Sequence, residues 1–295
     1  MDIVLTVCDY LFYDTAYNLV STKFNLPYLP RDDLLRQFIS LLLITSIFGF
    51  LVYFIVAGLS YHFVYDKRLM EHPRFLPNQI QLEIQCAAEA IIPMSILTVP
   101  FFLLEVNGYS KLYSNIDDYG IPYLFASIIG FLIFTDFGIY VIHRGLHHRS
   151  IYAHVHKLHH KWLVPTPFAS HAFHFLDGYS QSLPYHFAVF LFPIHKLVYL
   201  GLFMFVNVWT VLIHDGEYFD SGEIINSASN HTIHHLYFNF NYGQYFTFWD
   251  KVFNSYRQCP NELLDREKRH DVKSMNKVAK EVDIAKEEIE KPKVQ

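Results

Sequence analysis

Long apolar runs constrain the fold of this chain more than any other feature of its sequence. Residues 38–59 contain no charged side chain, and residues 121–142 form a similar run in which Asp136 is the one charge. Residues 87–104 are a weaker candidate, because they contain a glutamate and two prolines. A helix needs about 20 apolar residues to cross the hydrocarbon layer, since it rises about 1.5 Å per residue. The runs therefore predict three membrane-spanning helices.

A fourth apolar region, residues 183–213, is too long for one straight span. It is interrupted at residues 193–196, where a proline, a histidine and a lysine fall within four positions. We therefore expect two short helices that form a hairpin. The composition agrees with a membrane host, since only 17% of the residues are charged, against about 25% in average globular proteins. The predicted fold is an all-α polytopic membrane protein with about four spans or helical hairpins and a histidine-rich metal-binding cap.

The two ends of the chain differ from this apolar middle. Residues 1–37 form an N-terminal segment that lacks the positive start of a cleavable signal peptide, so we expect the first span to act as an uncleaved anchor. Residues 38–259 are the predicted membrane-embedded catalytic domain, and residues 260–295 form a charged tail without aromatic residues. The net charge of −5 argues against nucleic-acid binding. The three cysteines form no Cys-x-x-Cys pair and no disulfide framework.

Ten of the eighteen histidines occur in three short clusters, residues 143–148, 154–160 and 231–235. Residues three or four apart share one face of a helix, so each cluster presents several imidazoles together. His148 and His154 lie off these faces and are not expected to bind metal. Eight neutral imidazoles can supply two metal ions with about four nitrogens each, and imidazole suits iron, zinc and other transition metals. The eight candidate ligands are His143, His147, His156, His159, His160, His231, His234 and His235.

Other polar residues near the clusters are candidates for further roles. His214 lies where the hairpin returns to the side of the clusters, and it is a ninth candidate ligand. Asp215 and Asp136 could each hydrogen-bond a ligand imidazole, although Asp136 could equally be an interfacial residue that reaches water. His171 and His174 could line the site or bind metal there, or they could belong to a polar interfacial loop.

The distribution of positive charge predicts which side of the membrane carries the clusters. Residues 144–161 contain four lysines or arginines and no acid, whereas residues 105–120 contain one lysine and three acids. Cytoplasmic loops carry the excess of positive residues in membrane proteins. The histidine clusters are therefore expected on the cytosolic side.

The order H-x-x-x-H, H-x-x-H-H, H-x-x-H-H beside membrane spans resembles the fatty acid hydroxylase/sterol desaturase superfamily. Three further stretches resemble its sterol C-5 desaturase branch, namely PTPFASHAFH at residues 165–174, HDG at residues 214–216 and NYGQYF at residues 241–246. The resemblance extends from the first residues to about Trp249. The three clusters alone would indicate only the superfamily, and the stretches at residues 165–174 and 241–246 narrow it to the branch.

The resemblance implies a non-haem di-iron site in the endoplasmic reticulum membrane, with the eight histidines and His214 as iron ligands. Zinc is an alternative metal in purified protein. Dioxygen would be the oxidant, and electrons would come from NADPH or NADH through cytochrome b5 and its reductase. The implied reaction introduces the C5–C6 double bond into a delta-7 sterol, as in the conversion of lathosterol to 7-dehydrocholesterol during cholesterol biosynthesis. The implied partners are thus these redox proteins, the sterol and membrane lipid.

Three alternatives remain open on the sequence. Another oxidase, such as a sterol C-4 methyl oxidase or a fatty acid hydroxylase, would share the clusters but not the 165–174 stretch. A membrane metal transporter would place its ligands near the bilayer midplane, whereas these clusters lie in polar segments at the ends of spans. A non-catalytic homologue that binds zinc would retain the clusters without turnover.

Overall fold

The computed structural model describes residues 1–218 and 222–290, most of which are helical. A π-helical turn (Asp9–Tyr13) joins the first two α-helices, and 3-10 turns occur at Lys67–Glu71, Ile116–Asp118, His159–Lys161 and Pro167–His171. Two short strands are β1 (Leu112–Tyr113) and β2 (Ile194–His195). The α-helices are α1 (Asp2–Cys8), α2 (Asp14–Phe24), α3 (Leu34–Phe63), α4 (Gln79–Val106), α5 (Gly120–Leu146), α6 (Arg149–Val155), α7 (Phe175–Leu191), α8 (Lys196–Leu212), α9 (Ala228–Tyr237), α10 (Phe248–Val252), α11 (Asn261–Leu264), α12 (Arg266–Arg269) and α13 (Val272–Glu290).

Three helices within the described ranges, α3, α4 and α5, are long and apolar enough to cross a membrane. They contain the three predicted runs and extend beyond each of them. Their outward faces carry exposed apolar side chains such as Leu51 on α3 and Ile129 on α5, as expected of helices surrounded by lipid tails. The prediction of an all-α polytopic membrane protein is confirmed.

The fourth apolar region forms the expected hairpin. It folds into α7 and α8, and the chain turns at the interruption, where β2 pairs in parallel with β1. The hairpin packs on α5 through a buried core that includes Phe131, Tyr185 and Val189. Gly138 permits this close packing because it has no Cβ. A Cβ at this position would lie only 2.7 Å from the ring of Pro184. Both strands lie at the end of the bundle opposite the histidine clusters.

The loop that enters α7 is anchored to the first two spans. The Tyr53 hydroxyl on α3 donates to the carbonyl of Phe168 at 3.0 Å. The buried carboxylate of Glu83 on α4 accepts hydrogen bonds from the hydroxyl of Thr166 and from Gln79. These contacts hold the 165–174 stretch against the ends of α3 and α4.

The charged segment after residue 259 packs against the histidine-bearing helix α9. Leu263 and Val282 are buried in one core with Ile233 and Leu236 of α9. The Tyr237 hydroxyl at the end of α9 donates to Glu281 at 2.6 Å. One face of this segment is thus buried, a feature that its charge content did not indicate, while residues 291–295 of the predicted tail lie outside the described residues.

Candidate metal centre

The histidine clusters converge at one end of the membrane helices. His143 lies in the last turn of α5, and His147 directly follows that helix. His156 follows α6, and the next 3-10 turn begins with His159 and His160. The last cluster lies on α9, and His214 follows α8. The hairpin therefore returns its end to the clusters, as the sequence predicts.

Nine histidines in the described part of the chain form two compact groups. Within each group, one nitrogen from every ring lies within 4.8 Å of the others. An ion with metal–nitrogen bonds of about 2.1 Å separates opposite donors by about 4.2 Å, so each group is compact enough to surround one ion. Group one consists of His143, His147, His156, His160 and His234, and group two of His159, His214, His231 and His235.

The two groups adjoin each other. His159 and His160 are consecutive residues that belong to different groups. Across the boundary, the ring centroids of His160 and His235 lie 5.0 Å apart. The arrangement can therefore hold two neighbouring metal ions in one centre.

Hydrogen bonds at Nδ1, the nitrogen that points away from the groups, fix the orientation of four rings. In each case Nδ1 contacts an acceptor outside the two groups, so that in a neutral ring the proton lies on Nδ1 and the Nε2 lone pair faces inward. The tautomer follows from these partners. The four contacts are His143 to the carbonyl of Tyr242 at 3.0 Å, His156 to Oδ2 of Asp177 at 2.7 Å, His214 to the carbonyl of Thr210 at 2.7 Å and His234 to the carbonyl of Phe240 at 2.7 Å.

The inward nitrogens are close enough to share a cation. Nε2 of His143 lies 3.2 Å from Nε2 of His156, and both rings have their proton on Nδ1. Two lone pairs then face each other, which is unfavourable unless a positive charge lies between them. Nε2 of His234 is buried and has no hydrogen-bond partner among the described residues. The donor set therefore fits a metal that imidazole binds well, a class that includes iron and zinc.

Burial keeps the imidazoles neutral. All of the nine are buried except His147, which is partly exposed. Burial holds the pKa of His159, His160, His231 and His235 well below the ordinary value, and it lowers the pKa of His214 to about 4. A neutral imidazole is the form that binds a metal ion.

Asp177 is a functional residue that sequence reasoning missed. It is fully buried in the first turn of α7, and its Oδ2 accepts the hydrogen bond from Nδ1 of His156. A carboxylate that orients a metal-binding imidazole and raises its basicity is a common supporting contact. The available signal was a lone aspartate three residues after the HAFH stretch, at the start of an apolar segment.

The two aspartates proposed to hold an imidazole accept hydrogen bonds from backbone N–H groups instead. Oδ1 of Asp136 accepts hydrogen bonds from the backbone N–H groups of residues 244–246, at 3.1, 2.7 and 3.3 Å. It thereby anchors the loop whose Tyr242 carbonyl accepts from His143. Oδ1 of Asp215 accepts from the N–H of Glu217 at 2.8 Å, and burial raises the pKa of Asp215 to about 7. Asp136 therefore acts on the ring of His143 indirectly, because it positions the loop.

The remaining candidate histidines lie outside the two groups. His174 caps the N-terminus of α7 by accepting from the N–H of Leu176, and His148 caps α6 in the same way. His154 is exposed. His171 faces a cavity instead, and burial lowers its pKa to about 4.

An apolar cavity lies among the membrane helices, and one part of it approaches the metal centre. Its lining comes from α3, α4, α5, α7 and α8, from the loop that precedes α7 and from Gln244. Two of its lining residues contact group two. The carbonyl of Thr210 accepts a hydrogen bond from Nδ1 of His214, and the ring centroid of Phe173 lies 6.0 Å from that of His159. The lining includes Phe48, Ile91, Met94, Ile139, Phe203 and Val206. Such a pocket suits a large apolar molecule.

The chain is similar in sequence to known enzymes. Residues 128–255 match the family model described as fatty acid hydroxylase. The chain is 47% identical over 290 residues to a Delta(7)-sterol 5(6)-desaturase of Schizosaccharomyces pombe, covering 98% of this chain and 95% of that protein. It is 52% identical over 263 residues to lathosterol oxidase of Homo sapiens, covering 87% and 85% of the two chains.

A further relative is the Delta(7)-sterol 5(6)-desaturase of Eremothecium gossypii. It is 53% identical over 266 residues, which cover 90% of this chain and 76% of the relative. No solved structure matches the chain.

Proposed function

The chain belongs to the sterol 5(6)-desaturases of the fatty acid hydroxylase family, and we propose that it introduces the C5–C6 double bond into a delta-7 sterol at a di-iron centre. The observation that carries the proposal is the pair of adjoining histidine groups near an apolar cavity, whose lining residues Thr210 and Phe173 contact His214 and His159 of group two. Neither feature alone would specify oxidation of a membrane lipid. Together they support oxidation of a membrane lipid, because a site able to bind metal lies near a pocket suited to an apolar molecule.

Group one and group two would each hold one iron ion. When bound, iron would supply the activation of dioxygen that removal of hydrogen from an unactivated carbon requires. The overall reaction balances when the sterol loses two hydrogens, a donor supplies two electrons with two protons, and dioxygen is reduced to two waters. Lathosterol or a similar delta-7 sterol is the substrate class, in keeping with the names of the relatives.

The protein's own residues orient the ligands and exclude water. The Nδ1 atoms of four rings contact Asp177 or a backbone carbonyl, and these contacts hold each ring in a single orientation and tautomer. The apolar lining of the cavity binds the fused rings by burial. Because the lining residues Thr210 and Phe173 contact His214 and His159, a bound sterol would present one end to the metal centre.

Electrons would enter from the exposed side of the centre. His147 is the partly exposed member of its group, and exposed Arg144, Arg149, Lys157 and Lys161 surround this region. A basic surface attracts an acidic electron donor, and salt weakens this attraction. We propose cytochrome b5, reduced by its NAD(P)H-dependent reductase, as that donor. Reduction rates that do not change with ionic strength would contradict this docking surface.

We further propose that the enzyme resides in the endoplasmic reticulum membrane with its metal centre on the cytosolic side. The basic residues between 144 and 161 support this orientation by the positive-inside rule. The paired strands β1 and β2 would then lie on the lumenal side. Protease accessibility of tags inserted at either end of the bundle would test the orientation.

Expression in cells that lack sterol C-5 desaturase tests the proposed function. The expected product is a conjugated 5,7-diene, detected by its ultraviolet absorption and by a mass two hydrogens lower than that of the substrate. His159→Ala should abolish the product, whereas His154→Ala, which changes an exposed histidine of the same cluster, should retain it. Absence of diene from membrane-inserted, metal-loaded protein would refute the assignment, and a product with an added oxygen would indicate a hydroxylase.

A further inference from the structure

Gln181 connects the cavity to the metal centre. It lies one helical turn after Asp177 on α7, and its side chain lines the cavity. Nε2 of Gln181 donates to Oδ1 of Asp177 at 2.7 Å, while Oδ2 of the same carboxylate accepts from His156 at 2.7 Å. The glutamine amide is thus separated from a metal-binding imidazole by a single carboxylate.

The orientation of this amide is fixed by chemistry. An ionised carboxylate only accepts hydrogen bonds, so the NH₂ group of Gln181 must face Asp177 and the carbonyl Oε1 must face the other way. Within residues 1–218 and 222–290, no hydrogen bond to Oε1 of Gln181 is formed. A partly buried carbonyl that lines a cavity without a protein partner is suited to accept a hydrogen bond from a ligand.

The substrate carries one donor at a suitable place. A delta-7 sterol has a hydroxyl on C3, which is separated from the reacting C5 by C4 alone. The group that binds this hydroxyl must therefore lie close to the metal centre. We propose that Oε1 of Gln181 accepts the hydrogen bond from the 3-hydroxyl and so positions C5 and C6 beside the histidine groups, an inference that rests on the proposed function.

The other candidate for this role is His186. It also lines the cavity, is 1% exposed, and has a buried Nδ1 that lacks a hydrogen-bond partner in the described chain. However, it lies nine residues beyond Asp177 on α7, which corresponds to about 13 Å along the helix axis. A hydroxyl bound there would leave C5 far from the metal centre. His186 would instead contact the opposite end of the sterol.

A comparison of two substrates separates recognition of the hydroxyl from a structural role. The substrates are a delta-7 sterol and its analogue without the 3-hydroxyl, and the variants are Gln181→Leu and the matched control Gln244→Leu. The side chain of Gln244 also lines the cavity, but it donates to Thr210 rather than to Asp177. Both kcat/KM and the equilibrium Kd for each sterol are measured in the purified, lipid-embedded protein, together with its metal content.

We expect the wild type to prefer the hydroxylated sterol by about tenfold or more, which corresponds to one buried hydrogen bond. Gln181→Leu should lose this preference in both kcat/KM and Kd, mainly through weaker binding of the hydroxylated sterol. Gln244→Leu should retain it. The Kd comparison decides the matter even if Gln181→Leu loses metal and turnover.

An unchanged preference in Gln181→Leu, with both sterols weakened equally, would show that the residue only supports Asp177. Loss of the preference in His186→Leu instead would place the hydroxyl at the other end of the cavity. Either result overturns the inference. Failure of the wild type to convert either sterol would instead contradict the proposed function, so the two failures are distinguishable.

Discussion

Nδ1 of His156 lies 2.7 Å from Oδ2 of Asp177, and both side chains are fully buried. This contact joins the metal-binding cluster after α6 to the first turn of the hairpin helix α7. It also places the carboxylate between the metal centre and the substrate cavity, because Gln181 contacts its other oxygen. The orientation of His156 therefore depends on a helix that follows it by about twenty residues in the chain.

Replacing this carboxylate should weaken metal binding. Asp177→Asn preserves shape but removes the charge that favours the Nδ1–H tautomer of His156. The loss of such an outer contact typically reduces metal affinity or activity by about 10- to 100-fold. Titration of metal-depleted protein with Fe(II) measures the affinity, and Asp118→Asn, at an exposed position, serves as the control. Equal affinities in the two variants would contradict the role of Asp177.

Metal removal should destabilise the protein. Without a cation, the inward lone pairs of His143 and His156 face each other at 3.2 Å, and Nε2 of His234 stays buried without a partner. A ligand that binds only the folded state stabilises it by about 2.7 kcal/mol at one hundred times its Kd. A chelator should therefore lower the thermal unfolding temperature, and restored iron should recover it, at about two metal ions per chain. A chelator-treated protein with unchanged unfolding temperature would count against a resident metal.

Acidification should destabilise the metal-depleted protein below about pH 6.5. Burial holds the folded-state pKa of His159, His160, His231 and His235 well below the ordinary value, whereas an unfolded chain takes up protons near pH 6.5. The unfolded state then binds more protons, so stability is fully present above pH 6.5 and declines as the pH falls. Each such imidazole contributes at most about 1.4 kcal/mol per pH unit.

Thermal unfolding of metal-depleted protein between pH 5 and 8 tests this dependence. Because protons and metal compete for the same nitrogens, the metal-loaded protein should resist acidification to a lower pH. The same measurement on His154→Ala provides a control, since this imidazole is exposed. Stability that increases on acidification would show that the buried rings are charged in the folded state.

The C-terminal helix should be needed for the metal centre, although it holds none of the nine histidines. Val282 of α13 is fully buried against the helix that carries the third cluster, whereas Val272 is 70% exposed. Val282→Asp would bury an unpaired charge, at a cost of about 3 kcal/mol or more, and should reduce both unfolding temperature and metal content. Val272→Asp should change neither. A full metal complement in Val282→Asp would show that α9 is held by its other contacts.

Local patterns in the sequence were sufficient for much of this molecule. The three spans and the hairpin could be predicted because hydrophobic burial in a bilayer needs a minimum length of apolar chain. The eight clustered histidines could be selected because helical geometry places residues three and four apart on one face. His214 could be added because a hairpin must return to the side from which it started.

Contacts between distant segments could not be predicted from local patterns. The assignment of consecutive His159 and His160 to different groups depends on how α9 and the end of α8 approach them. Asp136 anchors a loop that lies more than one hundred residues later in the chain. It can do so only because that loop packs on α5. The partnership of Asp177 with His156 likewise depends on how α7 enters the bundle.

The sequence by itself determined the membrane host, the residue types of the metal centre and, through resemblance, the reaction class. These properties follow from composition and short-range spacing, which are present before the chain folds. Only the tertiary structure decided how the nine histidines divide, which groups fix their tautomers and where the substrate cavity opens. Those properties depend on distances between helices that are remote in the chain, and such distances are set by side-chain packing rather than by local pattern.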